Sequence, residues 1–196
     1  AKLFSIKTGK LIQNFTGHSK PIVSAVFNND GTKVLTASFD NTAKLFDTET
    51  GKLIQNFTEH TDWIESAVFS KDGHFILTAS DDSTAKLFDT KSGKLIQNFA
   101  GHNNAVFSAV FSPDDTKVLT ASEDNIARLF DVTNGNLIHE LKGHTKAIIS
   151  AVFNAEGTQV LTASRDKRAM LFDVKTGKHI QDFIGHSKSV ESATFS

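Results

Sequence analysis

Cysteine is absent from the 196 residues. Disulfides, zinc–thiolate centres, iron–sulfur clusters and cysteine nucleophiles are therefore excluded, and a reducing, cytoplasmic setting is the expectation that fits. Tyrosine is absent too, and Trp63 is the single tryptophan against 17 phenylalanines. Two prolines are too few for a proline-rich linker. No apolar run approaches the roughly 20 residues that span a bilayer. The opening Ala1-Lys2-Leu3-Phe4-Ser5 lacks the apolar core of a signal peptide. An excess of either charge is missing as well: 21 Lys and Arg against 22 Asp and Glu leave a net charge of −1. Nothing global draws such a chain to nucleic acid or to an anionic membrane, and neither is expected as a partner. Hydrophobic residues at 39% and charged residues at 22% are ordinary for a soluble globular protein.

What the sequence does have is repetition. His18, His60, His102, His144 and His186 follow one another at 42-residue steps. Leu-Phe-Asp recurs with its aspartate at Asp47, Asp89, Asp131 and Asp173, and Ala-Ser-x-Asp with its aspartate at Asp40, Asp82, Asp124 and Asp166. Three markers share one period without an insertion, which makes the repeat the unit of structure. Within it, short runs rich in β-branched and aromatic residues alternate with turn clusters. Residues 21–27, 33–38, 42–46 and 52–57 predict four strands, separated by Asn29-Asp30-Gly31, Asp40-Asn41 and Glu49-Thr50-Gly51. No stretch carries a helical apolar period over three turns. The expectation is 18 to 20 strands, essentially no helix, and an all-β fold. A four-stranded antiparallel sheet has two faces to cover, and stacking copies face to face about an axis covers them.

The period, the Gly-His pair and the aromatic-Asp ending resemble the WD40 repeat, with Phe46, Phe88, Phe130 and Phe172 in place of that family's tryptophan. The resemblance covers the whole chain. It implies a β-propeller, with complete blades at about 19–60, 61–102, 103–144 and 145–186 and partial blades at both ends. It also implies a hydrogen-bonded set in each blade: His18, Thr36 and Asp40; His60, Thr78 and Asp82; His102, Thr120 and Asp124; His144, Thr162 and Asp166. Thr36 or Ser38 can supply the hydroxyl, and the family alignment favours Thr36. Phenylalanine fills the apolar part of the tryptophan site but lacks the indole donor, a loss of about 1 kcal/mol of hydrogen bonding per blade. The chain starts on the third strand of one blade and ends on the first strand of another. Seven blades, the family's usual number, need more than 196 residues. The expected reading is a segment of a seven-bladed ring; the alternative is several chains co-assembling, and unpaired blade edges leave self-association open.

Catalytic and metal chemistry find no support. The repeated histidines sit in separate blades, about one sheet spacing of ~10 Å apart, whereas zinc needs its ligands near 2 Å from one centre. Four near-identical His–Thr–Asp sets in tight turns suit bonding rather than catalysis, which needs one asymmetric constellation. No enzyme, cofactor or metal is expected, and His74, His139 and His179 are read as isolated polar residues. Recognition falls instead to positions that vary between matched repeats. The resemblance places three per repeat on the top rim. Three after the histidine come Pro21, Trp63, Ala105, Ala147 and Ser189. Five after it come Val23, Glu65, Phe107, Ile149 and Glu191. Just before the turn aspartate come Phe39, Asp81, Glu123 and Arg165. From these, Trp63, Phe107, Phe39 and Ile149 are the expected apolar contacts, with Arg165, Glu65, Asp81 and Glu123 around them. The expected function is a scaffold that binds a protein or peptide on this rim. The alternatives are a carbohydrate- or small-ligand-binding propeller, with Trp63 stacking on a sugar, and the propeller part of a larger multidomain protein. Against the first, Trp63 occurs in one repeat only.

Overall fold

The computed structural model describes all of residues 1–196, which form eighteen strands and no helix. A two-stranded sheet of β1 (Lys2–Phe4) and β2 (Leu11–Asn14) comes first. Four four-stranded antiparallel sheets follow, each a meander in chain order. The first blade is β3 (Ile22–Phe27), β4 (Lys33–Ser38), β5 (Ala43–Asp47) and β6 (Leu53–Phe57). The second is β7 (Ile64–Phe69), β8 (Phe75–Ser80), β9 (Ala85–Asp89) and β10 (Leu95–Phe99). The third is β11 (Val106–Phe111), β12 (Lys117–Ser122), β13 (Ala127–Asp131) and β14 (Leu137–Leu141). The fourth is β15 (Ile148–Phe153), β16 (Gln159–Ser164), β17 (Ala169–Asp173) and β18 (His179–Phe183). The first strands of successive blades lie beside one another, so the sheets stack like the blades of a propeller. The stack is open; its five sheets do not close into a ring.

Position within the blade explains the burial of each strand. β4, β8, β12 and β16 are buried along nearly their whole length; β8 and β12 lie between two complete blades, while β4 has the two-stranded sheet on one side and β16 has residues 190–196 beyond it. They accordingly read as continuous Val-Leu-Thr-Ala or Ile-Leu-Thr-Ala runs rather than alternating ones. The outer strands β6, β10 and β14 leave Leu-Ile or equivalent pairs to solvent and bury only their last residue. Core clusters lie between blades, not within one. Leu129 and Leu141 of the third blade share a cluster with Ile148, Val160 and Phe172 of the fourth.

The phenylalanine of each Phe-Asp pair sits in this inter-blade packing. Phe46, Phe88, Phe130 and Phe172 are almost fully buried. Phe15, Phe57 and Phe99 close the preceding outer strand and meet Phe46, Phe88 and Phe130 with ring centroids 5.5, 5.2 and 5.5 Å apart. Leu141 takes that place against Phe172. Each fully buried phenylalanine contributes up to about 3 kcal/mol of transfer free energy.

A second link runs between adjacent blades. Gln13 Nε2 donates to the Glu49 carbonyl at 2.9 Å, and Gln97 Nε2 to the Asn134 carbonyl at 3.4 Å. His139 stands at the same repeat position, and its Nε2–H donates to the Lys175 carbonyl at 3.0 Å. The receiving turn needs a glycine: a Cβ on Gly93, at φ +70°, would sit 1.8 Å from Gln55 Nε2. His139 is thus no isolated polar residue, and neither is His179, which meets Asp182 at 2.9 Å and the edge of Phe172. Repeat position assigned His139 its contact, whereas His179 stands where the other repeats have leucine and meets a residue three places on.

Residues 190–196 depart from the expected first strand of a further blade. Val190 donates its N–H to the Ser164 carbonyl at 3.0 Å and is buried, but no ladder follows. In the complete blades the innermost strand is held by a second strand, and here residues 190–196 have none to pair with.

Candidate functional site

Two features sit at the end of each blade where β3, β7, β11 and β15 begin. The first is a tight bonded turn. His18 Nδ1–H donates to Asp40 Oδ2 at 2.9 Å, and the equivalent distances are 2.7 Å for His60–Asp82, 2.9 Å for His102–Asp124 and 2.8 Å for His144–Asp166. Each Nε2 lies 2.6–2.8 Å from Thr36, Thr78, Thr120 or Thr162 Oγ1. The threonine hydroxyl also faces the carbonyl of the neighbouring strand at 3.2–3.3 Å. With the ring neutral, the shorter contact takes the hydroxyl proton, and the threonine keeps an acceptor lone pair that no indole serves. The serine ties the turn to the backbone instead, as Ser38 Oγ donates to the Lys20 carbonyl and accepts the Asp40 N–H.

Electrostatics fit a neutral ring and an ionised carboxylate. Burial pushes all four imidazoles below the ordinary histidine value of 6.5, outweighing the upward pull of the aspartates. Burial also works to raise the Asp40 carboxyl, but hydrogen bonds from Thr42, the Ser19 N–H and His18 reverse this and hold it at about 2. Asp166 is likewise held at about 2, against the same burial, chiefly by His144 and the Thr145 N–H.

A fourth member of the turn was not apparent from the spacing of markers. Thr42 and Thr84 Oγ1 donate to Asp40 and Asp82 Oδ1 at 2.6 Å. The third blade has Ile126 at that position, with no hydroxyl to give, and Arg128 Nη1 donates to Asp124 Oδ2 at 2.6 Å instead. Arg128 then reaches Glu140 Oε1 at 2.8 Å. In the fourth blade Arg168 stands at the threonine position and donates to Asp166 Oδ2 at 3.1 Å. The available signal was the paired change from Lys44 and Lys86 to Arg128 and from Thr42 and Thr84 to Ile126 at matching repeat positions.

The second feature is the rim. In each blade the residue before the turn aspartate donates its N–H to the carbonyl three residues past the histidine: Phe39 to Pro21, Asp81 to Trp63, Glu123 to Ala105 and Arg165 to Ala147, at 2.9–3.1 Å. Five residues past the histidine the ladder slips. Ile22 faces Ser38 while Ser24 faces Ala37, so Val23 is a bulge, and Glu65, Phe107 and Ile149 are bulges in the same way. A bulge frees a side chain from the alternation of its strand and turns it toward the sheet end.

Several expected rim residues meet across blade boundaries. Phe39 of the first blade stacks on Trp63 of the second, with ring centroids 4.4 Å apart at 27°. Trp63 remains 41% exposed. Asp81 lies within the electrostatic reach of Glu65 and Glu123. Arg165 meets one of the aromatics face on: its guanidinium carbon lies over the Phe107 ring, 5.4 Å from the centroid. Phe107 and Ile149 are half-buried. Ala105 and Ala147 are buried and add no rim surface.

Chemically this end of the molecule offers stacked rings, carboxylates and a guanidinium on a rigid support. The family profile described as WD domain, G-beta repeat matches residues 9–47, 51–89, 93–131 and 135–173, about four-fifths of the chain. Each match begins on a turn glycine and ends on a Phe-Asp aspartate. No curated protein sequence matches the chain significantly.

Proposed function

This chain belongs to the WD40 family, and from that premise we propose that it is a non-enzymatic scaffold that holds a protein or peptide on the rim around Trp63. WD40 repeats generally serve as protein-interaction scaffolds. The observation that carries the proposal here is the Phe39–Trp63 stack, with 41% of Trp63 still open to water. A large ring already fixed by a neighbour gives up little conformational entropy on binding, and covering it recovers apolar hydration. Phe107 and Arg165 extend the surface across the third and fourth blades. A closed ring of seven blades belongs to the same proposal, because closure covers the apolar end faces that an open stack presents.

The test compares proteins captured from lysate by the parent and by Trp63→Ala and Phe107→Ala variants. Loss of specific partners is expected, with the Trp63 truncation costing about 2 kcal/mol of affinity or more. Identical capture by folded variants would remove the rim from consideration.

A further inference from the structure

We infer that the acidic sector of this rim selects a basic segment of the partner, with a Lys or Arg side chain laid on Trp63 and its charge taken up by Asp81, Glu65 and Glu123. The inference rests on the rim reading above and narrows the class of partner.

Charge on this end of the molecule is zoned by blade. Asp62, Glu65, Asp81 and Glu123 all fall in the second and third blades, around Trp63. The cations at matching positions of the complete blades, Lys20, Lys146 and Arg165, fall in the first and fourth, and beyond the fourth blade the same positions hold Lys188 and Glu191. None of the four carboxylates has a cationic partner, whereas Asp124, Glu140, Asp166 and Asp182 each have one. Asp81 Oδ1 is shielded from solvent and accepts no hydrogen bond, a state in which a carboxylate oxygen is short of a donor. Burial first, and then Asp62, Glu123 and Asp82, push the Asp81 carboxyl upward; burial and Asp81 do the same to Glu65. No lysine or arginine acts on either group in return.

The aromatic half of the site points the same way. Phe39 covers part of Trp63, the remaining indole surface is open, and the Trp63 carbonyl accepts the N–H of Asp81. A cation over an indole is attracted by the ring quadrupole, and a carboxylate within reach anchors its N–H groups. The molecule makes the first half of this arrangement internally two blade boundaries on, where its own Arg165 covers Phe107. Trp63 has no such cation of its own. An acidic or phosphorylated segment would bring like charge against four unpaired carboxylates.

Trp63 is the only tryptophan and there is no tyrosine, so red-edge indole excitation reports on this site alone. The probes are blocked pentapeptides, Ac-Ala-X-Ala-X-Ala-amide, with X as Arg, Lys, Gln or Glu. The Arg and Lys peptides should change Trp63 emission saturably and bind about tenfold or more tighter than the Gln peptide, with the Glu peptide weakest. Asp81→Asn and Glu65→Gln should each weaken the basic peptides about threefold to tenfold and leave the Gln peptide unchanged. Glu65 is the safer of the two positions, being a bulge residue outside the strand ladder and outside the His60–Asp82 bond, and both variants should keep the parent's denaturation midpoint. Equal binding of Arg, Gln and Glu peptides would overturn the charge selection. So would an absence of any change in Trp63 emission, or basic-peptide binding untouched by both neutralising variants. The rim reading is decided separately, by whether Trp63→Ala loses its captured partners.

Discussion

The third and fourth blades contain the same His–Asp–Thr turn, yet they stabilise its carboxylate from different places. In the third, Arg128 comes from β13, is 4% exposed, and bridges Asp124 to Glu140. In the fourth, Met170 occupies the position of Arg128, and Arg168, two residues earlier, reaches Asp166 from a more open site. The first two blades use a threonine hydroxyl and no arginine at all. The fixed requirement is therefore a donor for the carboxylate. Where it comes from is free to drift, provided the side chain lies on the same face of the strand.

The largest expected effect tests what the blades share. Four rings are held below the ordinary histidine value of 6.5. As pH falls below about 6.5, the unfolded chain binds protons that the folded rings refuse, so stability should drop steeply with falling pH. The carboxylates act later: Asp40 and Asp166 contribute in full above their ordinary 3.8, and that contribution is lost only as pH falls through about 2. Urea midpoints measured at pH 8, 6 and 5 check this, and a flat profile would mean that the rings titrate freely.

The blades should then separate under mutation. Arg128→Met copies the fourth blade's residue into the third, where Ile126 supplies no donor, and should cost about 3 kcal/mol by taking the guanidinium from the buried Asp124, while Glu140 keeps Lys142. A midpoint equal to the parent's would mean the guanidinium is dispensable. His102→Ala follows, at about 2 kcal/mol, since it strips a donor from a buried carboxylate. Arg168→Ala should cost only about 1 kcal/mol, because that guanidinium is partly solvated and the His144 and backbone N–H bonds to Asp166 remain. If the two arginine variants are equally destabilised, the difference in burial between them is irrelevant. Trp63→Ala should move the midpoint least, by under about 0.5 kcal/mol, as a solvent-facing residue with one ring partner.

The parts of this molecule that were legible in the sequence are those that repeat with the chain. Strand positions, the choice of the His–Thr–Asp residues and the rim phases follow from local pattern, because each blade is built from neighbouring segments. What stayed hidden depends on how one blade sits on the next. Phe39 and Trp63 are far apart as repeat positions and meet only because adjacent sheets turn about a common axis. The bulges at Glu65 and Phe107 are not marked by a glycine or any other turn residue in Ile-Glu-Ser-Ala-Val-Phe and Val-Phe-Ser-Ala-Val-Phe, and the unpaired oxygen of Asp81 is a matter of ångströms. His139 looked like a stray polar residue because its partner, the Lys175 carbonyl, lies one blade away.

The glutamine and histidine links between blades have a kinetic consequence. Each ties a segment to one about a repeat further along, 36 residues from Gln13 to Glu49 and 37 from Gln97 to Asn134. The longest side-chain bond, from the Lys71 N–H to Asp115, spans 44. No stabilising connection requires distant parts of the chain to find one another, so the loop-closure entropy of any step is modest. Ordering can nucleate in any adjacent pair of blades and spread outward one interface at a time. An all-β chain wired in this way escapes the slow search that long-range strand pairing imposes on sandwiches and barrels.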